Sequence, residues 1–166
     1  MTRTIPNMIA TVGGTGYLRP APGTWGSAVA VLMALGIHYI GGAGLLALAT
    51  IVVFFVGWWA TAQVTAGQDD HDPSEVVIDE VAGQWIALLV TSYGATRMGI
   101  DPLKLYPGWI AGFALFRLFD ITKPNLIGWA DRRGDALGVM LDDVIAGVYA
   151  AIGTAILAFL YHVVIL

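Results

Sequence analysis

GLLALATIVVFFVGWWATA, residues 44–62, is a run of 19 residues with no charged side chain, close to the ~20 that an α-helix needs to cross the hydrocarbon core of a bilayer. Residues 144–166 form a second run of that kind. Shorter apolar stretches lie at 28–40, 81–95 and 105–119, short enough to be tilted, packed inside a bundle or extended by semi-polar flanks. The composition points the same way. Of 166 residues, 57% are hydrophobic and 12% charged, whereas a soluble domain carries roughly 25% charged residues. Twelve acids and eight Lys or Arg cannot cover a soluble surface unless lipid solvates the rest. An unusually apolar soluble helical domain is the alternative. The sequence therefore predicts one all-α domain over residues 1–166, a polytopic membrane bundle of about four to five apolar helices.

Several classes drop out at once. There is no cysteine, which removes disulfides, thiolate metal sites and cysteine nucleophiles. The basic residues are few and scattered, so a nucleic acid partner is not expected. Before residue 28 no compact apolar run is followed by a small-residue cleavage site, so no removable signal peptide is expected. GxSxG, P-loop, HExxH and dinucleotide fingerprints are all missing, which leaves serine hydrolysis, Walker-type nucleotide hydrolysis and zinc proteolysis without support.

The breaks between stretches set the topology. Gly41-Gly42-Ala43-Gly44 reads as a tight turn, and polar breaks follow at 68–73, 96–107 and 123–134. If all five stretches cross, one side carries Arg3, Arg19, Lys123, Arg132 and Arg133, and the other only Arg97 and Lys104. The positive-inside bias then puts the N-terminus in the cytoplasm. The same threading gathers Asp69, Asp70, Asp72, Glu75, Asp79, Glu80, Asp120, Asp131, Asp135, Asp142 and Asp143 on the cytoplasmic side, with Asp101 alone opposite. No acid precedes Asp69, so the first two stretches supply scaffold and the later helix ends supply chemistry.

Two acidic pairs, Asp79-Glu80 and Asp142-Asp143, stand where apolar stretches begin. Acids favour helix N-termini, which explains one acid per helix as a cap. Two pairs that converged, with Asp120 nearby, would repel unless a cation lay among them, and hard oxygen ligands of this kind suit Mg²⁺. Arg117, Asp120 and Lys123 follow at steps of three and share a helix face. Arg117 as a planar fork and Lys123 as a point charge suit phosphate; a salt-bridged snorkelling end is the plainer reading. Pro22-Gly23-Thr24-Trp25-Gly26-Ser27 opens the first stretch, where Thr24 or Ser27 is expected to cap and free N–H groups form an anion site. Asp131, Arg132 and the loop before Asp142 bring a base and a charge toward the same place. His71 is a loop histidine, either a ligand or simply solvated.

These blocks, in their order, resemble the bacterial phosphatidylglycerophosphatase A lipid phosphatases. The resemblance rests on residues 22–27, on His71-Asp72 with 78–85, on 116–124, on 128–132 and on 138–147. It implies Mg²⁺ dependence, a membrane phospholipid substrate, an inner-membrane location with the site on the cytoplasmic side, and removal of the terminal phosphate of phosphatidylglycerophosphate. Residues 73–75 and 133–135 depart from the pattern, so Glu75 and Asp135 receive no role. With that family in view, Asp79, Glu80, Asp142 and Asp143 are expected to hold metal. Asp120, Lys123, Arg117 and Asp131 are expected to be catalytic, and Gly23, Thr24, Lys123 and Arg132 to bind the substrate phosphate. Attack by water and an aspartyl-phosphate on Asp120 both stay open, as does oligomeric state. A transporter, or a phospho-alcohol transferase acting on a nucleotide-activated lipid, is the competing class. The first would place its acids in mid-span rather than at helix ends, and the Asp-Gly start usual in the second is missing.

Overall fold

The computed structural model describes residues 4–68 and 70–164; Arg3 and Asp69, assigned above to the cytoplasmic side, lie outside them. Among the described residues six α-helices follow in order: α1 (Ile5–Ala10), α2 (Pro22–Val64), α3 (Ile78–Met98), α4 (Tyr106–Thr122), α5 (Leu126–Asp131) and α6 (Ala136–Val164). Among the described residues there is no strand, as the solid apolar runs require.

The long α2 is a hairpin of two arms. Pro22 starts it, a position where the missing N–H costs nothing. Gly41 and Gly42 leave helical geometry, and Gly42 takes φ 63° and ψ −159°, a conformation open essentially to glycine alone. Contacts show that the chain reverses there. Gly26 of the first arm and Gly57 of the second abut Val77 and Ile78, beside the start of α3, while Gly42 meets Thr96 near its end. The turn expected at residues 41–44 is thus where the chain doubles back.

α3 runs beside the first arm, tied by Trp85 Nε1 donating to the Ala30 carbonyl at 2.9 Å and by His38 Nδ1 lying 2.7 Å from Ser92 Oγ. α4 returns along α3, with Gly108, Gly112 and Phe116 against Thr91, Leu88 and Gly83. α6 then runs along α3 again, so close that a Cβ on Gly147 would stand 2.3 Å from the Gly83 carbonyl oxygen. Small residues allow such backbone approach in membranes, where dispersion rather than water expulsion holds helices together. The buried core between them includes Ala30, Ala34, Leu46, Ala82, Trp85, Leu88 and Met140.

Outside that core the surface is apolar, with Ile40 81% and Phe159 66% exposed. Two helices, Pro22–Val64 and Ala136–Val163, are long and apolar enough to cross a membrane. α3 carries Asp79, Glu80, Gln84 and Arg97, and α4 has only 17 residues. The expected all-helical fold is found, while of the four to five apolar helices expected only two among the described residues are long and apolar enough to span. Two helix starts differ from expectation, the first being α2, which begins at Pro22, before the Thr24 or Ser27 expected to cap it. α6 begins at Ala136 instead of near Val144, because Asp135 accepts a hydrogen bond from the Gly138 N–H at 2.7 Å and starts the helix there.

Candidate active site

All the helix ends that carry acids meet at one end of the bundle. The start of α2, the start of α3, the end of α4 and the second turn of α6 surround a cavity of 360 Å³. Its lining includes six carboxylates, Asp72, Asp79, Glu80, Asp120, Asp142 and Asp143, and two cations, Arg117 and Lys123.

Asp79 and Glu80 lie in the first turn of α3, where acids oppose the helix dipole favourably. Asp142 and Asp143 do not: α6 has no acid in its first turn, so end-capping does not account for this pair. Instead Asp143 sits on the α3 side of α6, its backbone oxygen 2.4 Å from a Cβ built on Gly83. One carboxylate oxygen from each of Asp79, Glu80 and Asp143 lies within 4.8 Å of the others. Asp79 Oδ1, Glu80 Oε2 and Asp143 Oδ2 are buried and accept no hydrogen bond among the described residues. Buried oxygens of one sign, close together and without donors, fit a hard divalent cation such as Mg²⁺.

The cations are held by the other acids. Arg117 Nη1 donates to Asp120 Oδ2, lies 3.9 Å from Glu80 Oε1 and reaches Ser27 Oγ at 3.5 Å. Gly23 makes room for this group, since a Cβ there would stand 2.2 Å from Glu80 Oε1 and 3.1 Å from Arg117 Nη1. Lys123 ends α4 in the left-handed region, with φ 42° and ψ 53°, which turns it back over the site. Its Nζ donates to Asp131 Oδ1 and, at 2.8 Å, to Asp142 Oδ2. Burial alone would lower the Lys123 ammonium, but the bonds to Asp131 and Asp142 outweigh it and hold the group above the ordinary lysine range. At the rim, partial loss of hydration raises the Asp72 carboxyl, opposed by Lys123 and reinforced by Asp131, Asp70 and Asp120.

The structure thus brings together Gly23, Asp79, Glu80, Arg117, Asp120, Lys123, Asp142 and Asp143 around the cavity, with Asp131 joined through Lys123. Two expected residues stand apart. Thr24 does not line the cavity, and neither it nor Ser27 caps α2; the cap position is Ala21, without a side-chain bond. Arg132 is exposed at the end of α5, also outside the lining. His71 is exposed and likewise absent from it. Conversely, Ser27 and Asp72 belong to the site. Ser27 stands in the motif that opens α2, but its contact with Arg117 depends on how α4 packs.

A family model described as phosphatidylglycerophosphatase A matches residues 8–158. The chain is 33% identical to phosphatidylglycerophosphatase A of Haemophilus influenzae, covering 88% of this chain and 84% of that protein. It is 30% identical to the Escherichia coli protein of the same name, over 94% of this chain and 83% of that one. A Bacteroides thetaiotaomicron protein, provisionally named a phosphatidylinositol-3-phosphatase, is 37% identical over 92% of each chain. No solved structure matches.

Proposed function

The chain belongs to the phosphatidylglycerophosphatase A family, and from that premise we propose that it is a Mg²⁺-dependent lipid phosphatase that converts phosphatidylglycerophosphate to phosphatidylglycerol during phospholipid synthesis. The observation that carries this reading is the cavity itself: three carboxylates, each with a buried oxygen that has no donor among the described residues, beside Arg117 and Lys123 at one end of an apolar bundle. With the apolar helices spanning the bilayer, a lipid phosphate would meet the bundle at that end. The loops at the site end carry Arg19, Lys123, Arg132 and Arg133 against Arg97 and Lys104 at the far end, which favours a cytoplasmic site in the inner membrane with both arms of α2, α3, α4 and α6 crossing.

Asp79, Glu80 and Asp143, with Asp142 beside them, would hold Mg²⁺, which when bound supplies positive charge to neutralise the phosphate oxygens. Arg117 donates to a phosphate oxygen from its guanidinium, and Lys123, steadied by Asp131 and Asp142, adds a point charge. Asp120, beside Arg117, takes the proton of the attacking water or attacks phosphorus itself. In either route the bond between phosphorus and the glycerol oxygen breaks, that oxygen leaves with a proton, and water completes the inorganic phosphate.

The likeness to the Bacteroides protein favours a second headgroup, a phosphorylated inositol lipid. Purified protein in detergent is therefore to be assayed for phosphate release from both lipids, with Mg²⁺ and then with excess EDTA. EDTA-sensitive release, faster from phosphatidylglycerophosphate, is expected. Faster release from the inositol lipid moves the assignment to that substrate. No release from folded protein in any condition sinks the phosphatase reading.

A further inference from the structure

Arg19, Arg117, Lys123, Arg132 and Arg133 are the Lys and Arg side chains described at the site end of the bundle. Three of them are engaged with acids: Arg117 with Asp120, Lys123 with Asp131 and Asp142, and Arg133 with Asp135. Arg19 and Arg132 make no ion pair among the described residues, and Arg132 lies outside the cavity lining. Arg19 is tied to that lining. Its Nη1 donates to Ser74 Oγ at 3.2 Å, and Ser74 is part of the cavity wall.

The backbone holds Arg19 at this mouth. Gly16 meets the chain ahead of α3 so closely that a Cβ on it would stand 1.9 Å from the Glu75 carbonyl oxygen. Nearby, the Val77 N–H donates to the Ala10 carbonyl at 2.8 Å. The chain before α2 is thus fastened to the chain that leads into α3, and Arg19 and Ser74 meet across the join. Two residues beyond Arg19, Ala21, Pro22 and Gly23 line the cavity together with Ser74 and Val76. Arg19 is exposed, and a guanidinium has five N–H donors, so donors remain for a ligand at the mouth. The same lip faces lipid: Leu18 is 46% and Trp25 47% exposed on either side of Arg19. Exposed tryptophan and long cationic side chains settle at the headgroup level of a bilayer.

Phosphatidylglycerophosphate carries two phosphates, the monoester to be cleaved and a diester one glycerol unit nearer the acyl chains. With the monoester held by Arg117 and Lys123 inside the cavity, the diester falls toward the mouth and toward lipid. A guanidinium there offers a planar fork of donors that matches phosphate oxygens. Building on the lipid phosphatase reading, we infer that Arg19, steadied by Ser74, binds the diester phosphate. It thereby makes the enzyme selective for lipids with two phosphates over phosphatidate, whose only phosphate is a monoester.

The test is steady-state phosphate release in an uncharged detergent, where no anionic surface attracts the protein. KM for phosphatidylglycerophosphate is compared with the inhibition constant of phosphatidate in the same assay. The wild type binds the two-phosphate lipid more tightly. Arg19→Ala raises KM about fivefold at unchanged kcat, the mark of lost uniform binding, and leaves the phosphatidate constant where it was. Arg19→Lys keeps the charge and recovers part of the loss, and added salt narrows the gap between wild type and Arg19→Ala. Arg133→Ala, which removes a cation of the same end that has its own acid, changes neither constant. If phosphatidate does not inhibit, recovery by Arg19→Lys decides alone. Equal weakening of both lipids by Arg19→Ala, an unchanged KM, or a fall in kcat in its place overturns the diester site and leaves the phosphatase reading standing. Folded wild-type protein that releases no phosphate overturns both.

Discussion

Gly23→Ala separates chemistry from fold more cleanly than loss of any charged group. Gly23 lies in the first turn of α2, and in a helix alanine is favoured over glycine by up to ~1 kcal/mol. The new Cβ would nevertheless stand 2.2 Å from Glu80 Oε1 and 3.1 Å from Arg117 Nη1. Ordinary contact begins at 3.4 Å, so the carboxylate oxygen must retreat by about 1.2 Å. Both crowded atoms are ends of flexible side chains and can yield without moving backbone. Displacement of order 1 Å in a reacting site costs on the order of 100-fold in rate, about 2.7 kcal/mol of barrier. The expected result is kcat lowered about 100-fold, with Tm in detergent moved by less than about 4 °C. Steady-state phosphate release and a thermal melt on the same preparation measure both. Wild-type kcat would refute the placing of Glu80 and Arg117 at the reaction. An activity loss that merely follows a collapsed Tm would refute the claim that the glycine serves the site.

Lys123→Met removes the cation shared by Asp131 and Asp142 and should lower kcat by about 10²–10³-fold; an unchanged rate would remove Lys123 from the chemistry. Mg²⁺ at ~100 times its Kd should stabilise the wild type by about 2.7 kcal/mol, visible as a rise in Tm, and Asp143→Asn should lose most of that rise; a variant that keeps it has been wrongly assigned as a ligand. Gly147→Ala drives a methyl to 2.3 Å from the Gly83 carbonyl, where only backbone can move, so about 3 kcal/mol of destabilisation and a Tm lower by roughly 6–12 °C are expected in the melt. Arg132→Ala should leave kcat/KM within about twofold, since an exposed side chain of this kind is worth ~0.5 kcal/mol or less; a large loss would return Arg132 to the phosphate.

The helices were legible because their apolar runs are solid and because Gly41-Gly42 has no better use than a reversal. The start of α6 was not. Hydropathy marks where lipid solvates a helix, and that begins near Val144, whereas the helix begins where Asp135 can cap it, at Ala136. This changes the meaning of Asp142 and Asp143, from candidate caps to charges carried inside a helix. Thr24 and Arg132 were chosen by motif, but the face a residue presents is set by the packing of its helix. Gly23, one residue earlier, meets Glu80 and Arg117, while Thr24 does not line the cavity. Asp72 enters because the chain between α2 and α3 folds back over the bundle end, a path that periodicity does not encode.

Charge balance carries the argument for a cation further than any single residue. Arg117 is engaged with Asp120, and Lys123 with Asp131 and Asp142. Asp79, Glu80 and Asp143 face one another within 4.8 Å, partly offset by Arg117 at 3.9 Å from Glu80, and like charges that close cannot all ionise in a buried site without further compensation. Protons would relieve the repulsion but leave neutral carboxyls with nothing to coordinate a phosphate oxygen, whereas a divalent cation offsets most of the charge and keeps coordination positions open for the phosphate. A divalent cation meets both demands at once. If Asp79, Glu80 and Asp143 hold Mg²⁺ as proposed, the metal is a condition for substrate binding as well as for turnover, and chelation should abolish binding of a non-hydrolysable phosphonate lipid along with catalysis. Phosphonate binding that survives EDTA would mean that Arg117 and Lys123 suffice for the phosphate and that the cation acts only on the chemical step.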